Sequence, residues 1–89
     1  MQFLITLEET ESGFSVQVPD LAILTFGVTI ALARQAAIAA IQANLTTYHQ
    51  IGKAIPNKKN VVTHLTNPDF QDLLFAFVNV NMPAEKKAA

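Results

Sequence analysis

The fold is decided by one stretch of the chain, GFSVQVPDLAILTFGVTIALARQAAIAAIQANL, which covers residues 13–45. Its first residues alternate between apolar and polar, the pattern of a strand with one buried face. Pro19 ends this strand because proline has no N–H to donate to a neighbouring strand. A second short apolar run ends at Gly27, and the alanine-rich run that follows predicts a long helix. This stretch therefore places two strands before one helix.

The flanking segments add a strand on each side of this stretch. Residues 2–9 alternate and lead into a polar turn that ends at Gly13, so they predict a first strand joined to the second by a hairpin. Residues 73–81, LLFAFVNVN, give the strongest strand pattern in the chain. Because this strand begins apolar on both faces, we expect it inside the sheet or covered on both sides. Residues 61–66 predict either a short strand or an irregular segment that crosses the sheet.

Together these patterns predict an α+β fold with the order β-β-β-α-β. It consists of a three-stranded antiparallel sheet, one long helix packed on it and a fourth strand added to the sheet. Thr29 is a good N-cap for the helix, and Gly52 is placed to end it. A right-handed crossover would place the last strand parallel to another strand, which we expect to be the first. We expect one domain over residues 1–82 and a flexible tail at residues 83–89.

The predicted helix is apolar on two sides. At about 100° per residue, the side that faces the sheet carries Ile30, Ala37, Ile38, Ile41, Leu45 and Tyr48. Arg34 lies on the same side, and its aliphatic stem can pack there while its head reaches an edge. The opposite side carries small or apolar residues where a solvent face normally carries Lys and Glu, and only 15% of the chain is charged. We expect this side to contact another subunit, unless alanine serves only helix propensity there. The residues concerned are Leu32, Ala36, Ala39 and Ala43.

Composition excludes several classes of protein. A net charge of -1 disfavours a dedicated nucleic-acid binder, and the absence of cysteine excludes disulfides and thiolate metal sites. No apolar run approaches the roughly 18 residues of a membrane span, and no basic segment precedes an apolar run as in a secretory signal. We therefore expect a soluble cytoplasmic protein that binds neither nucleic acid nor membranes.

The polar residues predict no catalytic site. The seven acidic residues are scattered, and none lies on the long helix, so a metal-dependent nuclease is the weakest hypothesis. His49 and His64 lack a third ligand for a metal ion. We expect Asp20 to cap its own turn, and we expect no catalytic residues, no cofactor and no metal site.

Several short motifs occur in a defined order along residues 1–82. They are Gly13-Phe14, Val18-Pro19-Asp20-Leu21, Gly27-Val28-Thr29, Ala33, Gly52-Lys53-Ala54-Ile55-Pro56 and the β-run from Leu74 to Met82. In this order and spacing they resemble the N-terminal domain of the HicB-like antitoxin family. The chain departs from the family pattern at Ala22-Ile23-Leu24, at Val28 and at the helix-opening residues Ala31 and Leu32, so we interpret it as a divergent member.

The resemblance implies a fold similar to a trimmed ribonuclease H core and a role without catalysis. An antitoxin of this family binds a small HicA-like toxin, which has a double-stranded-RNA-binding-like fold, and blocks its RNA cleavage. Many members also carry a C-terminal DNA-binding module; because this chain ends too soon to hold one, we do not expect operator binding. We predict toxin contacts at the hairpin tip and at residues 19–24, through Glu9, Glu11 and Asp20, since acids suit a basic partner. The alternative is an orphan module of the same fold that only self-assembles or binds a small ligand.

Overall fold

A computed structural model of the chain describes residues 1–56, 58–59 and 61–80. Within them the elements are β1 (Gln2–Thr10), β2 (Gly13–Val18), β3 (Ile23–Gly27), α1 (Ile30–Gln50), α2 (Val61–Leu65) and β4 (Leu74–Asn79), with short 3-10 turns at Pro19–Leu21 and Pro68–Phe70. The predicted α+β fold is confirmed. The predicted tail, residues 83–89, lies outside the described residues, and the domain boundary at residue 82 stays a prediction. No helix in the described part of the chain is long and apolar enough to cross a membrane.

The four strands form one sheet in the order β3-β2-β1-β4. Every neighbouring pair is antiparallel. The sheet has a hairpin end, where the β1–β2 turn lies, and a base, where β1 begins. β4 lies beside β1 as predicted, but it is antiparallel to β1 and occupies an edge. The prediction of a parallel last strand is therefore wrong, and of the two positions expected for β4, inside the sheet or covered on both sides, the first is wrong.

The route of the chain after α1 explains the direction of β4. At the base, Lys58 Nζ donates to the Gln2 carbonyl over 2.7 Å. From there the chain crosses the face of the sheet opposite α1 and reaches the hairpin end, where Leu74 pairs with Leu7. β4 then runs from the hairpin end to the base, opposite to β1. We call residues 58–73, apart from residue 60, the cover segment.

The cover segment contains a helix rather than the strand that residues 61–66 suggested. A segment that lies across the face of a sheet meets no strand edge, so its backbone groups must bond to one another. The Thr66 N–H donates to the Val62 carbonyl over 3.0 Å. The prediction of a short strand is wrong, whereas a crossing of the sheet does occur.

α1 buries the first face of the sheet. The Thr29 hydroxyl accepts the Leu32 N–H over 3.1 Å, and Gly52, with φ of 72°, follows the end of the helix. Gly27 permits a close approach, because a Cβ there would lie 2.2 Å from the Ala33 nitrogen. The fully buried residues of this layer include Phe3, Ile5, Val16, Val18, Ala37, Ile41, Leu45 and Val78.

The second face of the sheet is also covered. Leu4 and Thr6 point away from α1 and are nevertheless buried. Phe75 and Phe77 stand opposite Thr6 and Leu4 on β4, and the Phe70 ring of the cover segment meets the Phe75 ring edge-on at 6.5 Å. The molecule thus has three layers: α1, the sheet and the cover segment.

Candidate binding surfaces

The β1–β2 turn presents two of the predicted toxin-binding acids. Glu9 and Glu11 are both exposed at the hairpin end. Their turn is ordered by Thr10, whose hydroxyl donates to the Gly13 carbonyl over 3.1 Å and accepts the Ser12 N–H at 3.4 Å. Gly13 has φ of 154°, a backbone conformation that other residues rarely adopt. The two carboxylates therefore project into solvent from a defined hairpin.

Asp20, the third predicted acid, lies at the base. It follows β2, whose six residues separate it from the hairpin turn by roughly 20 Å at about 3.3 Å per residue. The structure thus brings Glu9 and Glu11 together and leaves Asp20 apart. A toxin contact through Asp20 stays a prediction, and its side chain is only 4% exposed.

The Asp20 carboxylate joins the base of the sheet to the cover segment. Its Oδ1 accepts from His64 Nε2 at 2.8 Å and from the Lys59 N–H at 3.0 Å. We expected a cap of its own turn, but both partners are distant in sequence. His64 is 6% exposed, so the pair is shielded from water. A buried carboxylate needs such donors, because an unpaired one is costly.

Sequence reasoning missed His64 as the partner of Asp20. The two residues lie 44 positions apart, and no motif links them. A His–Asp pair can orient an imidazole for catalysis when a nucleophile is near, but Ser12 lies at the other end of the sheet. Among the described residues, no group of three or more potential ligands could hold a metal ion. Because Asp20 bonds both His64 and Lys59 of the cover segment, the pair ties that segment to the base of the sheet.

A crevice of about 350 Å³ opens between the β2–β3 connection and the cover segment. On the sheet side it is lined by Leu24 and Gln17 with residues of the β2–β3 connection, and on the side of the cover segment by His64 and Phe70. The crevice exists because the Asp20–His64 pair holds the cover segment against this corner of the sheet. It was not predicted, since its walls come from two segments far apart in the chain.

Edge strand β3 and the start of α1 carry an apolar ridge, defined as Leu24, Phe26, Val28, Ile30 and Leu32. All five side chains are between 44% and 69% exposed. Large exposed apolar patches are typical of interaction surfaces, and β3 has one free edge for pairing. The sequence signal was present, because these residues occupy alternate positions in a run without charge from residue 21 to residue 33.

The outer side of α1 continues from this ridge. Ala39 and Ala43 are exposed, Ala36 is half-buried, and Leu32 belongs to both surfaces. Subunit contact through these four residues stays a prediction. On the flank of the helix, Arg34 Nη2 donates to the Phe77 carbonyl over 3.0 Å, so its head reaches the β4 edge as predicted.

Comparison with known proteins agrees with this fold. Residues 3–89 match the family model described as HicB_like antitoxin of bacterial toxin-antitoxin system. The crystal structure of the Burkholderia pseudomallei antitoxin HicB is similar, with a TM-score of 0.81 and 25% identity over 91% of this chain. The alignment covers 64% of that antitoxin, so the chain spans less than two thirds of its length. No curated protein sequence matches the chain.

Two further solved structures share the fold. The N-terminal domain of the B. pseudomallei HicB superposes with a TM-score of 0.78 at 24% identity, over 92% of this chain and 100% of that one. A chain of a HicA3 and HicB3 toxin-antitoxin complex superposes with a TM-score of 0.76 at 21% identity, over 91% of this chain and 99% of that one. At these identities the likeness concerns the fold alone.

Proposed function

The chain belongs to the HicB-like antitoxin family, and from this membership we propose that it sequesters a small RNA-cleaving toxin of the HicA-like class. It acts by covering the toxin, without catalysis or a cofactor of its own, and it does so in the cytoplasm. A solved complex that joins HicA3 and HicB3, one chain of which has this fold, supports this choice of partner.

The observation that carries the proposal on this chain is the ordered acidic hairpin tip. A protein that binds RNA presents positive charge to phosphates. Glu9 and Glu11, both exposed, offer negative charge to the same surface. Complementary charge accelerates association and selects the partner. Asp20 contributes mainly by fixing residues 19–24, because its carboxylate is engaged by His64.

Binding and inhibition assays with the toxin encoded beside this gene test the proposal. We expect the chain to bind that toxin and to stop its RNA cleavage. The double variant Glu9→Lys/Glu11→Lys should weaken binding by about tenfold or more at low salt, because it reverses the steering charge.

Asp69→Lys/Asp72→Lys is the matched control, since it makes the same change of charge at exposed positions of the cover segment. This control should bind within about twofold of the unaltered chain. Failure of the unaltered chain to bind or inhibit the toxin contradicts the proposed function. Equal weakening by both double variants contradicts only the hairpin surface.

The second candidate function is self-assembly, which the apolar ridge and the outer side of α1 favour. We propose that Leu32, Ala36, Ala39 and Ala43 contact a second copy of the chain, because small side chains let two helices approach closely. Ala39→Glu should shift the protein to a monomer, since it places a charge in that contact. His49→Glu is the control, because His49 is exposed on the same helix but lies about 110° round the helix from the centre of this side; it should leave the mass unchanged. Light scattering measures the molar mass of both variants and of the unaltered chain. If the unaltered chain is already a monomer, this proposal is contradicted.

A further inference from the structure

The crevice at the base has the dimensions of a small-molecule site. Its volume of about 350 Å³ lies within the range of roughly 300–1,000 Å³ that is typical of ligand pockets. Such sites combine apolar walls with a few polar groups that fix orientation. The residues of the hairpin tip do not line it, and of the apolar ridge only Leu24 does.

The apolar part of the crevice suits a flat or compact hydrocarbon group. Leu24 and Gln17, cross-strand partners on the second face, line it on the sheet side; Val18 and Ile23 border it too, although they pack in the core under α1. Across from Leu24 and Gln17 stands Phe70, whose ring is fixed against His64 at 6.2 Å and against Phe75 at 6.5 Å. An aromatic wall in a defined orientation favours an aromatic or aliphatic ligand.

The polar part of the crevice supplies donors and positive charge. Lys59 lines it, and its backbone is held in place because its N–H donates to Asp20 Oδ1. Asn67 lines it too, and its Oδ1 already accepts the Asp69 N–H at 2.9 Å, which leaves its amide N–H groups for a ligand. An ammonium and an amide together favour an anionic group.

His64 lines the crevice on the side of the cover segment. Its side chain is 6% exposed. Its Nε2 is engaged by Asp20 Oδ1 at 2.8 Å. The Asp20 carboxylate has two donors of its own, so its charge is compensated. His64 therefore contributes an imidazole ring in a fixed position to the wall of the crevice.

From these features we propose that the crevice binds a small organic carboxylate with an apolar body. The body packs between Leu24 and Phe70, and the carboxylate meets Lys59 and the Asn67 amide. This site lies at the opposite end of the sheet from Glu9 and Glu11, but it shares residues 19 and 22–24 with the second predicted toxin contact.

An NMR titration of the full chain with phenylacetate tests the site. A ligand of this size should bind with a dissociation constant on the order of 1 mM. The amide signals of Leu24, His64 and Phe70 should shift together, while those of Glu9 and Glu11 should not. The absence of saturable shifts at roughly ten times that concentration overturns the proposal.

Two further compounds test the carboxylate and the apolar body of the ligand one at a time. Phenylacetamide keeps the ring and loses the charge, and inorganic phosphate keeps a charge and has no apolar body. Both should bind at least about threefold more weakly than phenylacetate. Equal binding of phenylacetamide overturns the role of the carboxylate, and equal binding of phosphate overturns the role of the apolar wall.

Matched variants locate the binding on the protein. Lys59→Gln should weaken phenylacetate binding by about threefold, because it removes the ammonium from the crevice. Lys53→Gln removes the same charge from an exposed residue outside the crevice and should change nothing. Leu24 is 69% exposed, so Leu24→Glu should keep the fold and abolish binding by repelling the anion. Unchanged binding by both Lys59→Gln and Leu24→Glu contradicts the assignment.

Discussion

The two faces of the sheet are covered in different ways. On the first face, α1 buries apolar side chains such as Ile5, Val16 and Ile41 completely. On the second face, the cover segment is held by directional contacts, among them the Asp20–His64 pair at 2.8 Å. Apolar burial depends on the area removed from water and not on direction. A hydrogen-bonded pair depends on geometry. The second face therefore needs particular residues at particular positions, whereas the first face needs only apolar residues at the right spacing.

This difference predicts two kinds of response to substitution. Damage to the first face should lower the free energy of unfolding of the whole domain, since the α1 layer is its main core. Damage to the second face should release the cover segment while the rest stays folded, because regions with fewer buried apolar contacts open locally.

The largest effect is expected on the first face, from Ile41→Ala. Ile41 lies on the side of α1 that faces the sheet and is completely buried, so its truncation leaves a cavity in the core. The free energy of unfolding should fall by about 3–4 kcal/mol in urea denaturation. Ile30→Ala is the control, because Ile30 lies on the same helix but is 44% exposed, and it should cost less than about 1 kcal/mol. Equal losses would show that α1 does not bury the core as described.

Gly27→Ala tests the contact between β3 and α1. The added methyl group would lie within 2.6 Å of backbone atoms of Leu32 and Ala33, which cannot move as a side chain can. We expect a loss of about 2–3 kcal/mol. Gly52→Ala provides a contrast, since space is free there and only its φ of 72° resists the change; it should cost about 1 kcal/mol. A neutral Gly27→Ala would contradict the close approach.

On the second face, Asp20→Ala should cost about 2 kcal/mol, because it leaves His64 buried without its acceptor. In a double-mutant cycle, His64→Ala should add little once Asp20 is gone. Hydrogen exchange should accelerate in the cover segment and not in α1. Additive losses, or equal acceleration in both layers, would contradict the role of the pair as a tie.

The smallest effect is expected from Arg34→Met, which acts between the layers at the β4 edge. The hydrogen bond from Arg34 to the Phe77 carbonyl is exposed to solvent, so its loss should cost about 0.5–1 kcal/mol. Met keeps the apolar stem, which isolates the contribution of the guanidinium. Hydrogen exchange at β4 should rise slightly, and a loss as large as that of Ile41→Ala would contradict a peripheral role.

The prediction of binding residues from sequence was uneven for a physical reason. Glu9 and Glu11 lie together because they flank one hairpin turn, which is a local feature. Asp20 seemed part of the same acidic surface, but β2 separates it from them. His64 had no signal at all, because its partner comes from 44 positions earlier in the chain.

The sequence by itself determined the order of β1, β2, β3 and α1, the bounds of the long helix and most of its buried stripe, although Ile30, expected in that stripe, is exposed. These follow from turn residues, caps and periodicity, which act over a few neighbouring positions. Only the tertiary structure decided the direction of β4, the helical form of residues 61–65, the Asp20–His64 pair and the crevice beside it. Each depends on the path of the cover segment across the second face, which brings together residues that no local pattern connects.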